Sequence, residues 1–366
     1  MIGMNDFPRH VAALRDELDA AIDRVLGSGW FILGKEVEAF ERELAAFLCV
    51  AHVVGVGNGL DAIELALAAA GVGEGDEVIT TPNSAFASTL AILKRRAIPK
   101  FVDLDERTYG LDVARAADAV GPRTRAILPV HIYGQAMDLT ALSSLAASHE
   151  LVLVNDAAQA HGARWRDRDI AQYGRASAYS FYPTKNLGCF GDGGAVATDD
   201  AALAAHVKRG RDYGQEKRYL HVDGEGLNSR LDELQAAILR VKLRHLPAHN
   251  RRRAAIAAHY SEHLGDLPLV LPIIADGASS VHHLYVIRTA KRDALMQHLR
   301  ERDIATLVHY PVLIPLQPAM KRFDHRPGEF PVAERCAAEF LSLPIHPELT
   351  DADVEAVVGA VRAFFA

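Results

Sequence analysis

The sequence predicts an α/β protein with a mostly parallel seven-stranded sheet, followed by a smaller α+β domain. Between about residues 52 and 200, short apolar runs alternate with stretches of helical periodicity. This alternation is typical of a parallel sheet with helical crossovers. Several runs are apolar throughout, as a strand covered on both faces requires. After about residue 246 such runs become rare, which indicates a second domain of another kind.

The elements of the first domain follow from periodicity and from flanking turn residues. Residues 9–49 read as two amphipathic helices with a break at residues 27–29. Seven strands are then predicted, at 52–56, 77–80, 100–104, 125–130, 151–155, 178–182 and 194–198. Helices are predicted at 61–70, 84–95, 139–149 and 199–211.

The domain boundary is predicted from a helix that meets a proline. Residues 230–246 carry leucine, isoleucine and valine at helical spacing, and Pro247 follows. We therefore assign 1–246 to a large domain that includes the N-terminal helices, and 247–366 to a small C-terminal domain. In the small domain we expect strands at 280–288 and 306–309, and helices near 291–302, 331–340 and 350–364.

Composition excludes several classes of protein. Forty lysines and arginines against 47 acidic residues give a net charge of −7, with no basic segment for nucleic acid. No apolar run reaches the roughly 18 residues of a membrane span, and the N-terminus carries charges where a signal peptide is apolar. Three distant cysteines, Cys49, Cys189 and Cys336, suit neither a disulfide framework nor a metal site. We expect a cytoplasmic enzyme without a metal.

A glycine-rich turn at residues 55–61, Gly-Val-Gly-Asn-Gly-Leu-Asp, joins a predicted strand to a predicted helix. Glycines allow close backbone approach, and the first N–H groups of a helix favour an anion. A phosphate site is one interpretation. The alternative is a tight turn with Asp61 near the helix N-cap.

A second motif ends a buried-type strand in a carboxylate, at Asp156 in Leu-Val-Leu-Val-Asn-Asp. Ligands of parallel sheets bind beyond the carboxyl ends of the strands. A carboxylate there can hold a proton on a heterocyclic nitrogen, a metal ion or a sugar hydroxyl. The alternative is a simple helix N-cap.

The third motif is Lys185, one of nine lysines, in a turn between two apolar strands. A partly desolvated lysine has a lowered pKa and a free amine that acts as nucleophile or base. An exposed loop lysine is the alternative. Together, a phosphate cradle, a strand-end carboxylate and a buried lysine are what pyridoxal phosphate requires, because the lysine forms the Schiff base and the carboxylate keeps the pyridine nitrogen protonated.

The sequence resembles the DegT/DnrJ/EryC1/StrS sugar aminotransferases over nearly its whole length. The blocks that carry the resemblance include GNGLDAIELAL, RTRAILPVHIYGQ, VNDAAQAHGA, SFYPTKNLG, GDGGAV and GLNSRLDELQAAIL. The resemblance implies the aspartate aminotransferase-like (type I) fold and pyridoxal 5′-phosphate as cofactor. It also implies a functional homodimer with shared active sites.

The resemblance also implies roles for individual residues. Lys185 matches the Schiff-base lysine that also shuttles the proton, and Asp156 matches the partner of the pyridine nitrogen. Cofactor contacts are implied for Gly59, Leu60, Asp61, Phe86, Gln159, Ser180 and, from the neighbouring subunit, Asn228. Substrate contacts are expected from Tyr182, Lys217, Tyr219, His309 and Tyr310.

Two departures concern the cofactor. Many members have threonine where this chain has Leu60, so that only a backbone amide is offered here. Many have an aromatic residue at the Ala85 position that stacks on the ring, whereas the aromatic here is Phe86. Lysine at 185, where a dehydratase branch has histidine, favours transamination.

The predicted reaction moves an amino group from L-glutamate to a nucleotide-linked keto sugar. The blocks GNGLDA, RDYGQEKRY and GLNSRLDELQAA resemble the branch that aminates C3 of dTDP-linked 3-keto-6-deoxyhexoses. The alternatives are a 4-keto nucleotide sugar or a keto-cyclitol as acceptor. A non-catalytic protein that binds nucleotide sugar or cofactor is a more distant alternative.

Overall fold

The computed structural model describes residues 1–366. Its helices are α1 (Phe7–Ala13), α2 (Arg15–Ser28), α3 (Lys35–Leu48), α4 (Gly59–Ala69), α5 (Phe86–Lys94), α6 (Val113–Asp118), α7 (Leu139–Ser148), α8 (Ala201–Gly210), α9 (Glu233–Leu264), α10 (Arg292–Arg300), α11 (Pro331–Glu339) and α12 (Asp351–Phe365).

The strands between residues 52 and 198 include every strand predicted in that range. They are β1 (His52–Val56), β2 (Glu77–Thr80), β3 (Ile98–Phe101), β4 (Thr124–Ile127), β5 (Val152–Asp156), β6 (Arg164–Trp165), β7 (Arg168–Asp169), β8 (Ala176–Ser180) and β9 (Gly194–Thr198). Outside this group lie β10 (Gln215–Lys217), β11 (Leu220–His221), β12 (Tyr285–Arg288) and β13 (Phe340–Leu343).

The central sheet has seven strands in the order β1-β9-β8-β5-β4-β2-β3. Strand β9 is antiparallel to both its neighbours, and all the other pairs are parallel. The prediction of a mostly parallel seven-stranded sheet is therefore confirmed. Helices cover both faces of the sheet, and every residue of β2 and β9 is accordingly buried.

Separate apolar clusters cover the two faces of the sheet. One face packs against α3, α7 and the first half of α9 through residues such as Phe40, Leu142 and Leu239. The other face packs against α4, α5 and α8 through residues such as Leu65 and Val207. A third cluster joins the end of α9 to α10, α12, β12 and β13 and forms the core of the C-terminal part.

Two predictions about helices are wrong. The N-terminal segment has three helices, because the chain turns at Leu14 as well as after Ser28. The helix predicted to end before Pro247 instead continues to Leu264 with Pro247 inside it. Helix α9 thus crosses the predicted boundary at 246, and the division into two domains stays a prediction.

Two strands of the C-terminal part are shorter than predicted. Strand β12 covers only the last four residues of the predicted 280–288. The predicted strand at 306–309 is reduced to one isolated bridge, between Leu307 and Ser342. None of the helices is long and apolar enough to cross a membrane.

Candidate active site

The register of the sheet brings three of the predicted motifs to one edge. Asp156 ends β5 opposite Ala178 of β8, and Ser180 ends β8 opposite Gly194 of β9. Val56, the last residue of β1, lies opposite the same Gly194. Because β1, β5 and β8 run in the same direction, their carboxyl ends meet at this edge, where ligands of parallel sheets bind.

The turn after β1 is shaped for a small anion. Asn58 caps α4 by accepting a hydrogen bond from the Asp61 amide at 2.9 Å, and the amides of Gly59 and Leu60 begin the helix without a helical acceptor. A Cβ on Gly59 would lie 2.6 Å from the Cβ of Ser180, so only glycine permits this approach. The Asp61 amide is already paired, so its predicted bond to a phosphate requires the cap to open.

Asp156 is buried with a donor on each carboxylate oxygen. The Ser88 hydroxyl donates to Oδ2 at 2.6 Å, and the Ala158 amide donates to Oδ1 at 3.1 Å. Burial raises the pKa of Asp156, whereas these two donors and the positive charge of Lys185 act to lower it. A pyridinium N–H placed beside the carboxylate would favour its ionised form further.

Lys185 lies in the turn that leaves β8, where its amide donates to the Tyr182 carbonyl at 2.8 Å. Desolvation lowers the pKa of the Lys185 ammonium to about 8, against the opposing attraction of Asp156. Lys185 as a whole residue is half-buried. A lysine with this pKa has an appreciable neutral fraction near neutral pH, as nucleophilic attack requires.

Gln159 connects this edge to the C-terminal part of the chain. Its Oε1 accepts from the Tyr133 amide at 2.7 Å, and its Nε2 donates to the Tyr310 hydroxyl at 3.2 Å. The Tyr133 hydroxyl donates to the His309 carbonyl and accepts from Asn83 Nδ2. Burial and the nearby Lys185 charge lower the pKa of His309 to about 4, so its ring is neutral at pH 7.

No hydrogen bond joins Lys217, Tyr219 or Asn228 to the residues described above, whereas Tyr182 accepts one from the Lys185 amide. Lys217 and Tyr219 belong to the exposed β10–β11 hairpin, in which Tyr219 is 79% exposed. Asn228 is also exposed, and its backbone pairs with Asp212. Tyr182 is exposed, and Phe86 packs against the apolar cluster that contains Phe101 and Leu313.

Sequence reasoning missed three residues: Asn83, Ser88 and Tyr133. Each is buried and holds a predicted residue in place. A signal was present, because the polar run Thr80–Ser84 follows the buried strand β2 at the same edge of the sheet. A cavity of about 400 Å³ lies elsewhere, between residues 105–114, 132–138 and 273–276.

These residues fit pyridoxal phosphate. The Gly59 turn and the Ser180 hydroxyl offer hydrogen-bond donors to a phosphate, and Asp156 offers a buried carboxylate to a ring nitrogen. Lys185 offers an amine with a lowered pKa at the same edge. An added methyl group at residue 59 would press on Ser180, one of the residues that offer a donor here.

Comparison with known proteins agrees with this chemistry. Residues 12–362 match the model of the DegT/DnrJ/EryC1/StrS aminotransferase family. A Streptomyces venezuelae dTDP-3-amino-3,4,6-trideoxy-alpha-D-glucose transaminase is 49% identical over 350 residues, which cover 95% of this chain and 92% of the relative.

Two solved structures are similar over most of their length. Streptomyces venezuelae DesV, in complex with a ketimine intermediate, has a TM-score of 0.96 at 48% identity and covers 98% of this chain and 97% of its own. Bacillus subtilis NtdA with bound cofactor PMP has a TM-score of 0.90 at 30% identity, with 96% of this chain and 81% of its own covered. The predicted fold is confirmed by these similarities.

Proposed function

The chain belongs to the DegT/DnrJ/EryC1/StrS aminotransferase family, and we propose that it transfers an amino group to C3 of a dTDP-linked 3-keto-6-deoxyhexose. Pyridoxal 5′-phosphate is the cofactor and L-glutamate the amino donor. The observation that carries the proposal is the meeting of Asp156, Lys185 and the Gly59 turn at one edge of the sheet. The transaminase that is 49% identical to this chain supports the sugar substrate.

In this proposal, each residue at the edge holds one part of the cofactor. When bound, pyridoxal phosphate supplies an aldehyde for covalent attachment and a protonated ring that withdraws electrons from the reacting carbon. The amides of Gly59 and Leu60 and the Ser180 hydroxyl bind the phosphate. Asp156 holds a proton on the ring nitrogen, and Gln159 Nε2, which already reaches the Tyr310 hydroxyl, orients the ring hydroxyl.

Lys185 has two tasks in turn. Its neutral Nζ would bond to the aldehyde carbon of the cofactor with release of water. Once an incoming amine has displaced it, the same Nζ would take a proton from one carbon atom and return it to another. The lowered pKa suits both tasks, because an amine with a pKa of about 8 can release and accept a proton near neutral pH. The His309 ring, whose pKa is lowered to about 4, is too weak a base to compete for that proton.

The choice of C3 and of dTDP is supported by relatives. The S. venezuelae relative is named for a 3-amino sugar carried on dTDP. A second relative, from Aneurinibacillus thermoaerophilus, is 43% identical and is named dTDP-3-amino-3,6-dideoxy-alpha-D-galactopyranose transaminase. Tyr182, His309 and Tyr310 are the sugar contacts in this proposal.

We further propose a homodimer in which Asn228 completes the partner's phosphate site. Its side chain is exposed, four residues before Asp232, whose backbone pairs with Ile32. Ile32 belongs to an exposed apolar segment with Trp30 and Phe31, in which Trp30 is 62% exposed. We propose that a second copy of the chain covers this segment. The three unpaired cysteines suit the reducing cytoplasm.

The experiment offers three acceptors to the enzyme loaded with cofactor and L-glutamate: a dTDP-3-keto-6-deoxyhexose, its 4-keto isomer and a keto-cyclitol. We expect 2-oxoglutarate release with the 3-keto sugar at a kcat/KM at least roughly a hundredfold above the others, the scale that one well-built polar contact provides. Lys185→Ala should release none. A preference for the 4-keto sugar or the cyclitol would show that the proposed acceptor is wrong. If no acceptor led to release of 2-oxoglutarate, the proposed aminotransferase activity would be refuted.

A further inference from the structure

Two serines of α5 and its preceding loop form a hydroxyl chain that ends on Asp156. Ser88 Oγ lies 2.6 Å from Asp156 Oδ2, and Ser84 Oγ lies 3.1 Å from Ser88 Oγ. Ser88 is 2% exposed and Asp156 is 4% exposed, so water does not replace this contact. The bond joins α5 to the end of β5, across 68 residues of sequence.

The direction of this hydrogen bond follows from chemistry. An ionised carboxylate only accepts, so the Ser88 hydroxyl must be the donor, and its own lone pair can then accept from Ser84. A hydrogen bond donated to a carboxylate favours its ionised form. Such a bond is roughly twice as strong as one between two neutral groups. The Ala158 amide supplies the second donor, on the other oxygen.

Opposing influences act on the protonation of Asp156, and one of them is the Ser88 donor. Burial favours the neutral acid, and the groups that oppose it are Ser88, the Ala158 amide and the Lys185 charge. Burial, and after it the charge of Asp156, raise the pKa of the nearby Tyr310 to about 12, so Tyr310 is neutral at pH 7. Lysine 185 changes its charge during the reaction, whereas the Ser88 hydroxyl does not.

We propose that Ser88 is a positioning residue that keeps Asp156 ionised and fixes the oxygen that faces the ring nitrogen. The inference rests on the proposed function, since the ring belongs to the cofactor. A carboxylate with weaker proton affinity leaves the shared proton on the ring nitrogen, where it is needed to withdraw electrons. Without Ser88, Asp156 would compete more strongly for this proton.

The chain offers a matched control one residue away. Thr89 is fully buried on the same helix, and its hydroxyl has no hydrogen-bond partner. Thr89→Val therefore removes a buried hydroxyl from α5 without removing a bond to Asp156. Ser88→Thr keeps the hydroxyl and should restore what Ser88→Ala loses.

The test titrates Asp156 by carbon NMR in the full-length enzyme labelled with [4-13C]aspartate, before and after pyridoxal phosphate is added. The signal is assigned by its loss in Asp156→Asn. In the cofactor-free enzyme, Ser88→Ala should raise the proton affinity of Asp156 about tenfold, the scale of one charge-assisted hydrogen bond. Ser88→Thr should return it to the wild-type value, and Thr89→Val should leave it unchanged.

In the loaded enzyme, Ser88→Ala should lower kcat about tenfold and leave KM for glutamate unchanged, because Ser88 acts through Asp156. The inference would be overturned if the proton affinity of Asp156 in Ser88→Ala were within about twofold of the wild-type value. It would also be overturned if Thr89→Val shifted this proton affinity as much as Ser88→Ala does. If Ser88→Ala does not fold, Ser88→Cys, a weak donor, must show the same shift or the inference fails. A wild-type enzyme that binds no cofactor would refute the proposed function but would leave the Asp156 titration as it is.

Discussion

Burial shifts both principal side chains of the site toward their neutral forms. It raises the pKa of Asp156 and lowers the pKa of Lys185, and the attraction between the two opposes both shifts. For Lys185 the shift is useful, because a neutral amine is the nucleophile. For Asp156 it is harmful, because the ring nitrogen needs an anion, and this explains why Asp156 has two hydrogen-bond donors.

The first prediction concerns pH. A lysine whose pKa is lowered to about 8 is protonated below this pH and neutral above it, so the rate of covalent cofactor attachment to apoenzyme should rise with pH and level off above about 8. Stopped-flow absorbance measures this rate. At pH 7 roughly a tenth of the amine is then neutral, against less than about 0.1% for an unperturbed lysine. If the midpoint of this rate profile lay near pH 10, Lys185 would not be desolvated.

The second prediction concerns the charge of Asp156. Asp156→Asn keeps the size of the side chain but removes the anion, so kcat should fall at least about a hundredfold, the scale of one strong electrostatic contact in a dry site. Asp169→Asn is the control, because Asp169 is similarly buried at 5% exposure but caps a turn elsewhere. A fall of less than about threefold in Asp156→Asn would mean that another group protonates the ring.

At the scale of elements, the glycine-rich turn gives the third prediction. Gly59→Ala places a Cβ 2.6 Å from the Ser180 Cβ, which forces the turn and β8 apart and should weaken cofactor binding roughly tenfold or more. Gly73→Ala is the control, since no atom lies within 4 Å of its added Cβ. Equilibrium titration of apoenzyme measures both. If Gly59→Ala and Gly73→Ala bound the cofactor with equal affinity, the phosphate would lie away from this turn.

The strands and their end residues could be predicted from the sequence because their signals are local. All seven strands of the sheet lie within about two residues of their predicted starts, and Asp156 and the Gly59 turn follow from strand-end position alone. The local sequence predicts that the helix ends at Pro247, and nothing in this segment alone indicates that it continues. Helix α9 packs on α2 and α3 before this proline and on α12 after it, and this packing carries the helix through.

The residues that support the site could not be predicted in the same way. Ser88 meets Asp156 across 68 residues, and Gln159 meets Tyr310 across 151. Such contacts depend on the order of strands in the sheet, which apolar periodicity does not specify. The family resemblance named Gln159 and Tyr310. The polar run after β2 pointed to the neighbourhood of Asn83, whereas nothing in the sequence singled out Ser88 or Tyr133.

At the scale of the whole molecule, the fourth prediction is that two defective variants complement each other. Lys185→Ala lacks the amine, and Asn228→Asp places a carboxylate against the phosphate of the neighbouring subunit. If each site uses Lys185 of one chain and Asn228 of the other, a mixed dimer has one site with both lesions and one with none. Activity should recover to at most about half of wild type per mixed dimer.

Light scattering and subunit exchange with tagged chains would show that mixed dimers form. No recovery, despite proven exchange and an inactive Asn228→Asp parent, would place Asn228 in the site of its own chain. The exposed Trp30 segment should be covered in the wild-type dimer, so its fluorescence should be blue-shifted relative to a dissociated form.

The most direct test of the account is a crystal structure of the cofactor-loaded enzyme with a dTDP-linked 3-amino-6-deoxyhexose. We predict continuous density between the cofactor and the nitrogen on sugar C3, with Lys185 Nζ detached and close to the reacting carbon. Asp156 should lie at the ring nitrogen, and the phosphate should lie on the Gly59 turn. A sugar joined through C4, or a nucleotide sugar bound away from Lys185, would contradict the account.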